Sequence, residues 1–464
     1  RFPNSYIAER YSRENLFPYL FSHSVGYVGN LNDDSLQEIL SLQDLSLKET
    51  IFKYSNGFLS GKTGIENVYD QELRGFFGKK IYEVDASGRL LKEIDTIPAI
   101  DGKDIHTSLD LKSQQVAFRE LKNRRGSVVA VDISDGAIVT YLSSPSFSVN
   151  KIANGLSQND FNELIEDKNK PFFDRAAQGR YSPASTIKPA IGLFGLENNI
   201  IDWDFTIDDP GYFELPEDGR IYRGWKKGGH GKINLQDAII ESSNTFFFSL
   251  AYKSEIEELI KHLSYFGFGR NVCLDCFLPD NGLLPNPAWK MNTLNFGWFK
   301  GDTVNLGVGQ GYMSATPLQL AYYSAFIANK GALNKFSFVQ DDKTLPKDVF
   351  YSGNIDDKDW EKIHKSMIGV IEEPKGTAGR LRELKDYIIA AKSGTVELVS
   401  TDTKEDYKII REEEAKRDHA IIVAFGPMPN PKYAVSVVIE NGESGGSVAG
   451  PVAIEVLNSL LDYE

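Results

Sequence analysis

A chain of 464 residues has length for two or three domains, and 41% hydrophobic with 25% charged residues is the composition of an ordinary globular protein. The formal net charge of −14 argues against a nucleic-acid surface, because phosphate contacts need a basic face. No run of about 18 apolar residues is present, so no segment of this sequence reads as a membrane-spanning helix. The chain opens on Arg1-Phe2-Pro3, carries no signal-peptide pattern, and is expected to be a fragment or processed product.

Residues 1–106 read as a first region. Its strand-like pieces SVGYVG, KKIYEVDA and DIHTSLD lie between Gly- and Asp-rich turns, with a helical stretch near Ser35 to Leu47. It holds no acid–base or metal cluster, which suits a structural or docking module. From residue 107 the character changes. DLKSQQVAFRELK suits an amphipathic helix with Leu111, Val116, Phe118 and Leu121 on the buried side. GSVVAVDIS and AIVTYLSSP then read as two strands joined by Asp135-Gly136, a type I′ hairpin signal. A long helical and loop-rich stretch follows.

Within it, VCLDCFL carries both cysteines, Cys273 and Cys276. Read as a strand it puts residues i and i+3 on opposite sides, so two buried thiols are expected rather than a local disulfide. Two thiols are too few for a zinc site. GVGQG at 307–311 lacks the Lys-Ser/Thr of a nucleotide loop. His106, His262 and His364 read as surface or capping residues, and His23 and His419 as structural hydrogen-bond partners. Strands return at 387–395, 419–427 and 433–442, flanking a charged stretch (397–418) expected to be a solvated segment. A terminal helix tolerates Pro451 in its first turn. Two strands before and three after a helical insertion predict one five-stranded, largely antiparallel sheet flanked by helices, an α/β (α+β) domain over 107–464.

Three short motifs fall in order. Ser185-Thr-Ile-Lys188 stands where a loop becomes a helix, so Ser185 and Lys188 share a face one turn apart. Alone, that pattern is more often a capping serine and a surface lysine. Ser242-Ser243-Asn244 lies where an apolar helix begins or turns. Lys392-Ser393-Gly394-Thr395 ends a strand. A serine needs a base to become a nucleophile, and a lysine serves only when neutral, which a second cation nearby favours.

This ordered triplet is the one known from β-lactamases and penicillin-binding proteins. With GYVGNLND, KTGIENVYD, PFFDRAAQGRYSPASTIKP, DDPGYFELP, RGWKKGGHGKIN and GDTVNLGVGQGYMSATPLQLA, the sequence resembles class B penicillin-binding proteins, most closely the elongation subfamily called penicillin-binding protein 2. The resemblance covers nearly the whole chain.

It implies a serine transpeptidase/β-lactamase-like domain behind a truncated, non-catalytic pedestal (1–106). It implies a D,D-transpeptidase that cross-links peptidoglycan stem peptides and is the target of β-lactam antibiotics. Ser185, Lys188, Ser242, Asn244 and Lys392 would be catalytic, with Ser393, Gly394 and Thr395 binding substrate and no cofactor needed. Partners would be a membrane glycosyltransferase and elongation-complex proteins, met through the pedestal. The location would be the periplasmic side of the bacterial inner membrane, through an anchor outside this sequence.

A D,D-carboxypeptidase or β-lactamase carries the same triplet, and a catalytically silent scaffold is a third reading. Some relatives hold zinc beside the site through two aspartates, a histidine and a cysteine. Here those places read Asp209, Gly224, His230 and Ser243, too few ligands, so no metal is expected; either Asp209 bonds His230 directly, the first expectation, or the loop is more mobile than in zinc-binding relatives.

Overall fold

The computed structural model describes residues 12–31, 36, 39, 58–339, 353, 355–398 and 411–462. Five apolar runs pair into one sheet: β1 (Gly126–Asp132), β2 (Ile138–Ser144), β3 (Ala390–Val396), β4 (His419–Gly426) and β5 (Tyr433–Ile439). Their spatial order is β3-β4-β5-β1-β2, and every neighbouring pair is antiparallel. The two strands ahead of the long insertion therefore join the three behind it, as expected. The helices that position the site are α1 (Leu111–Leu121), α2 (Lys188–Glu197), α3 (Asn244–Lys253), α4 (Pro317–Ala328), α5 (Asp357–Glu372) and α6 (Gly450–Leu461).

The inner strands are buried along almost their whole length because both faces of the sheet are covered. Register shows by what. Thr140, Ala130, Val435, Ala424 and Ala391 pair across the sheet and share one face, while Tyr141, Val129, Ser436, Val423 and Lys392 share the other. Ser113 Oγ of α1 lies 2.6 Å from Thr140 Oγ1, which puts α1 on the first face. Ser436 Oγ donates to Pro317 O of α4 at 2.6 Å, which puts α4 on the second. Lys392 thus points into the layer built by the insertion.

The α1 face differs from the periodicity reading. Leu111 is exposed and Phe118 half-buried, whereas Ser113 and Gln114 are buried. The reason is β2, an edge strand whose open backbone needs partners. Gln114 supplies them, donating to Tyr141 O at 2.7 Å and accepting from Tyr141 N at 2.9 Å. The β1–β2 connection is a hairpin, but not a two-residue type I′ turn. Residues 133–137 form the loop, Asp135 keeps an ordinary negative φ, and its carboxylate accepts from Ala137 N at 2.8 Å. DIHTSLD forms no strand, because Ser108 N and Asp110 N bond Phe338 O and Val139 O, and Asp110 caps α1.

Two compact units are distinguished, one of residues 1–107, 146–172 and 275–277, the other of 108–145, 173–274 and 278–464. In the first, Val28–Asn30 pairs with Leu59–Gly61, and Lys79–Val84 with Leu90–Ile97. Leu36 and Ile39 are helical and form a small core with Leu31, Phe77 and Ile97; the rest of the 35–47 stretch lies outside the described residues.

Cys273 and Cys276 are disulfide-bonded, not two thiols. The chain bends at Leu274 and Asp275 instead of running extended, so the two side chains meet on one side. His262 and His364 are buried rather than superficial, held by Glu197 and Ala190 O and by Ile327 O respectively. His23 and His419 do make structural hydrogen bonds, to Pro171 O and from Asn441 N. Of the charged 397–418 stretch, residues 399–410 lie outside the described set.

Candidate active site

Ser185 sits in a short 3-10 turn, Ala184–Ile187, that runs directly into α2. Ala184 before it holds φ 47°, a left-handed value that costs a residue with a Cβ and persists only where neighbours fix it. The fixing is visible. Ala184 N donates to Gly309 O at 3.0 Å, Ser182 Oγ donates to the same oxygen, and Tyr323 OH donates to Thr186 O at 2.7 Å. Gly309 has φ +67°, and a Cβ there would lie 2.5 Å from Ala184 O. The GVGQG run is therefore a brace beneath the serine turn.

Lys188, three residues on, is fully buried. Its Nζ donates to Asn244 Oδ1 at 2.7 Å, to Ser242 O at 2.8 Å and to Ser242 Oγ at 3.2 Å. Ser242 lies between the helix Leu235–Ile240 and α3, and its φ of 58° turns the chain sharply enough to aim both carbonyl and hydroxyl inward. Lys392 Nζ donates to the same Ser242 Oγ at 2.9 Å and to Ser393 O at 3.1 Å. One hydroxyl thus links two buried lysines.

Burial, and after it the charge of Lys392, holds the Lys188 pKa well below the usual lysine range, with Asp209 pulling the other way. Burial alone pushes Lys392 down to about 7. The Lys188 Nζ is engaged by Ser242 and Asn244, and Ser185 lines the cleft in front of them.

That cleft, about 340 Å³, is lined by Ser185, Ser242, Asn244, Ser393, Gly394 and Thr395 among others. β3 is a sheet edge, so one side of its backbone is open to an added strand. Ser393 Oγ lies 2.9 Å from Thr377 Oγ1. Gly394 sits where a side chain would be tight: a Cβ there would meet Thr186 Cγ2 at 3.0 Å and Pro183 O at 3.2 Å. Its absence lets β3 lie against the serine turn. Every sequence-predicted site residue is therefore at one place. The sequence reading did not single out Trp225, Gln310, Thr377, Glu397 or Ser444–Gly446, which also line the cleft. A signal existed for the last group. Adjacent glycines between a strand and a helix mark close backbone approach, and a Cβ at Gly445 would fall 2.4 Å from Gly394 O.

Immediately behind Ser242 lies a second polar cluster. Asp209 Oδ2 is 2.6 Å from His230 Nδ1 and accepts from Ser243 Oγ at 2.7 Å, while Oδ1 accepts from Gly211 N at 2.7 Å. Burial works against the charge of Asp209, but the hydrogen bonds from His230 and Ser243 outweigh it and hold the carboxyl far below the carboxylate range. Ser243 Oγ also caps α3 through Phe246 N. The direct Asp209–His230 bond is the one expected. These residues do not fit zinc: with glycine at 224 and a serine hydroxyl at 243, no further carboxylate, thiolate or imidazole joins Asp209 and His230 among the described residues.

A serine before two desolvated lysines, at the open edge of an antiparallel sheet, has the geometry of a lysine-assisted acyl-transfer site. The family model described as penicillin binding protein transpeptidase domain matches residues 126–458, and that of the penicillin-binding protein dimerisation domain matches residues 1–107. The chain belongs to the penicillin-binding protein transpeptidases. It is 38% identical to the peptidoglycan D,D-transpeptidase MrdA of Acinetobacter baumannii, over all of this chain and 67% of that protein. It is 34% identical to MrdA of Escherichia coli, over all of this chain and 72% of that protein.

Among solved structures, penicillin-binding protein 2 of Pseudomonas aeruginosa in complex with WCK 5153 is similar at TM-score 0.82 and 35% identity, covering 97% of this chain and 90% of that one. The complex of penicillin-binding protein 2 with MreC from Helicobacter pylori is similar at TM-score 0.85 and 31% identity, covering 97% and 79%.

Proposed function

We propose that this chain is a peptidoglycan D,D-transpeptidase working through a serine acyl-enzyme, the activity named for its relatives. The observation that carries this reading is the buried Lys188–Ser242–Lys392 hydrogen-bond chain behind Ser185. Ser185 Oγ attacks the carbonyl of the D-Ala-D-Ala bond, and its proton passes to a lysine kept neutral by burial. The Ser185 N–H belongs to the first turn of a helical segment, where backbone donors have no internal partner, so it is free to meet the oxyanion together with Thr395 N–H. One such donor contributes about 3 kcal/mol in other enzymes. The C–N bond breaks, D-Ala leaves with the proton, and the acyl group passes to the amine of a second stem. The substrate backbone adds to the edge of β3, with Ser393 and Thr395 at its terminal carboxylate.

In this reading residues 107–464 do the chemistry and residues 1–106 form the pedestal, which serves placement in elongation. A pedestal partner of the MreC kind, a membrane glycosyltransferase and a periplasmic setting at the inner membrane belong to the same proposal. Among the described residues, no helix is long and apolar enough to cross a membrane.

The test is labelling with a fluorescent penicillin, wild type beside Ser185→Ala. A label present only in the wild type and persisting for many minutes is the expected result. No label overturns the enzyme reading, and decay within seconds points to a β-lactamase.

A further inference from the structure

Glu397 is the one ionisable side chain among the described residues that line the cleft; the two lysines lie buried behind Ser242. It follows Thr395 by two residues, just past the end of β3, and the two residues line the same cleft. Among the described residues it has no ion-pair or hydrogen-bond partner. Its only charged neighbour of note is another acid, Asp418, which is buried and accepts from Leu398 N at 3.2 Å. Although Glu397 is exposed as a residue, crowding of its carboxyl first and Asp418 second raise its pKa. A carboxylate held at a cost is one that gains from an arriving cation.

A donor peptide brings a carboxylate to Ser393 and Thr395, which a neighbouring anion does not favour. The acceptor is different. It is a primary amine, an ammonium ion at neutral pH, and it must enter the space that D-Ala vacates beside Thr395. We propose that Glu397 is a positioning residue for the acceptor, drawing its ammonium group to the mouth of the cleft once the acyl-enzyme has formed. The proposal rests on the transpeptidase reading above. Glu397 itself makes and breaks no bond. The amine sheds one proton to solvent and attacks the Ser185 ester carbon. The C–O bond then breaks, and the second proton returns to Ser185 Oγ.

The experiment uses a neutral N-acyl peptide thiolester as donor and two acceptors, D-alaninamide, which is cationic, and hydroxylamine, which is uncharged at neutral pH. Glu397→Gln is expected to raise the half-saturating concentration of D-alaninamide roughly three- to fivefold, the size of one screened charge pair, with the maximal rate unchanged. Transfer to hydroxylamine and adduct formation with benzylpenicillin should stay as in the wild type, and Glu397→Asp should restore most of the loss. Equal changes for both acceptors, or none for either, overturn the proposal. A wild type that forms no penicillin adduct at Ser185 overturns the transpeptidase reading itself, and the proposal with it.

Discussion

Ser242 and Ser243 are adjacent, yet they serve opposite electrostatic environments. Ser242 Oγ stands between two lysines that burial keeps from holding their charge. Ser243 Oγ donates to a carboxylate that is equally buried but stays ionised with ease, because His230, Ser243 and Gly211 N saturate it. Burial penalises a charge in both places; what differs is the surroundings, since the charge of Lys392 adds to the penalty at Lys188, whereas hydrogen bonds outweigh it at Asp209. The lysine side is left unsettled, and an unsettled proton is what a serine needs from its base. The aspartate side is settled, and it holds the turn that aims Ser242 and Asn244.

The largest effect should come from breaking the unsettled side. Lys392→Met removes one end of the proton chain, and penicillin acylation should fall roughly 10²–10⁴-fold. The same change should stabilise the fold. Between about 7 and the ordinary lysine value of 10.5, the unfolded chain binds a proton at this residue that the folded chain does not. Stability of the wild type therefore rises with pH across that window, and the cost is fully present below it. Unfolding of Lys392→Met should show its greatest gain, a few kcal/mol at most, at pH 6, fading towards pH 10. A gain that does not depend on pH would show that packing rather than charge is responsible. In the wild type, the acylation rate should climb with pH well below the reference lysine range of about 10.4, as one coupled titration of the pair.

Breaking the settled side should act in the opposite sense. Asp209→Asn leaves His230 and Ser243 facing a neutral amide, at a cost of about 3 kcal/mol, measured by denaturant unfolding at pH 7. The Asp209 carboxyl has a depressed pKa, so its contribution is complete above the ordinary aspartate value of 3.8 and is lost as pH falls below it. The variant should accordingly lose less stability than the wild type on acidification. Asp209 also raises the Lys188 pKa, so its removal should move the ascending limb of acylation to lower pH. An unmoved limb would mean that the two clusters are electrically independent.

The sheet was legible because its code is local: five apolar runs, two ahead of the insertion and three behind it, had no other way to cover their faces. The three motifs were legible for the same reason, being contiguous residues with fixed spacing. What escaped was set by contacts distant in sequence. Gln114 looks like a solvent-facing helix residue until β2 is known to be an edge with an open backbone at Tyr141. The Cys273–Cys276 bridge was misjudged because a strand was assumed where the chain bends. The one-turn spacing of Ser185 and Lys188 is legible in the sequence, although Ser185 lies in the 3-10 turn ahead of α2. That the Lys188 Nζ turns to residues 54 and 56 positions later depends on the left-handed Ser242, which no spacing rule reveals. Gly394, expected to bind substrate, has a second role that the motif does not show, since its missing Cβ makes room for the serine turn.

The smallest test separates the two serines directly. Ser243→Ala removes the α3 cap to Phe246 N and one of the donors to Asp209, but leaves Ser242 and both lysines in place. Loss of a cap of this kind costs about 1 kcal/mol, and the lost bond to a carboxylate adds to that. The fold should therefore weaken by about 2 kcal/mol in urea unfolding, while the penicillin acylation rate falls only a fewfold, since no proton passes through Ser243. Ser242→Ala should give the reverse, a small change in stability and a severe loss of acylation. If Ser243→Ala instead matched Ser242→Ala in acylation, the aspartate cluster would be part of the proton path rather than its support. The division between a settled and an unsettled side of this turn would then be wrong.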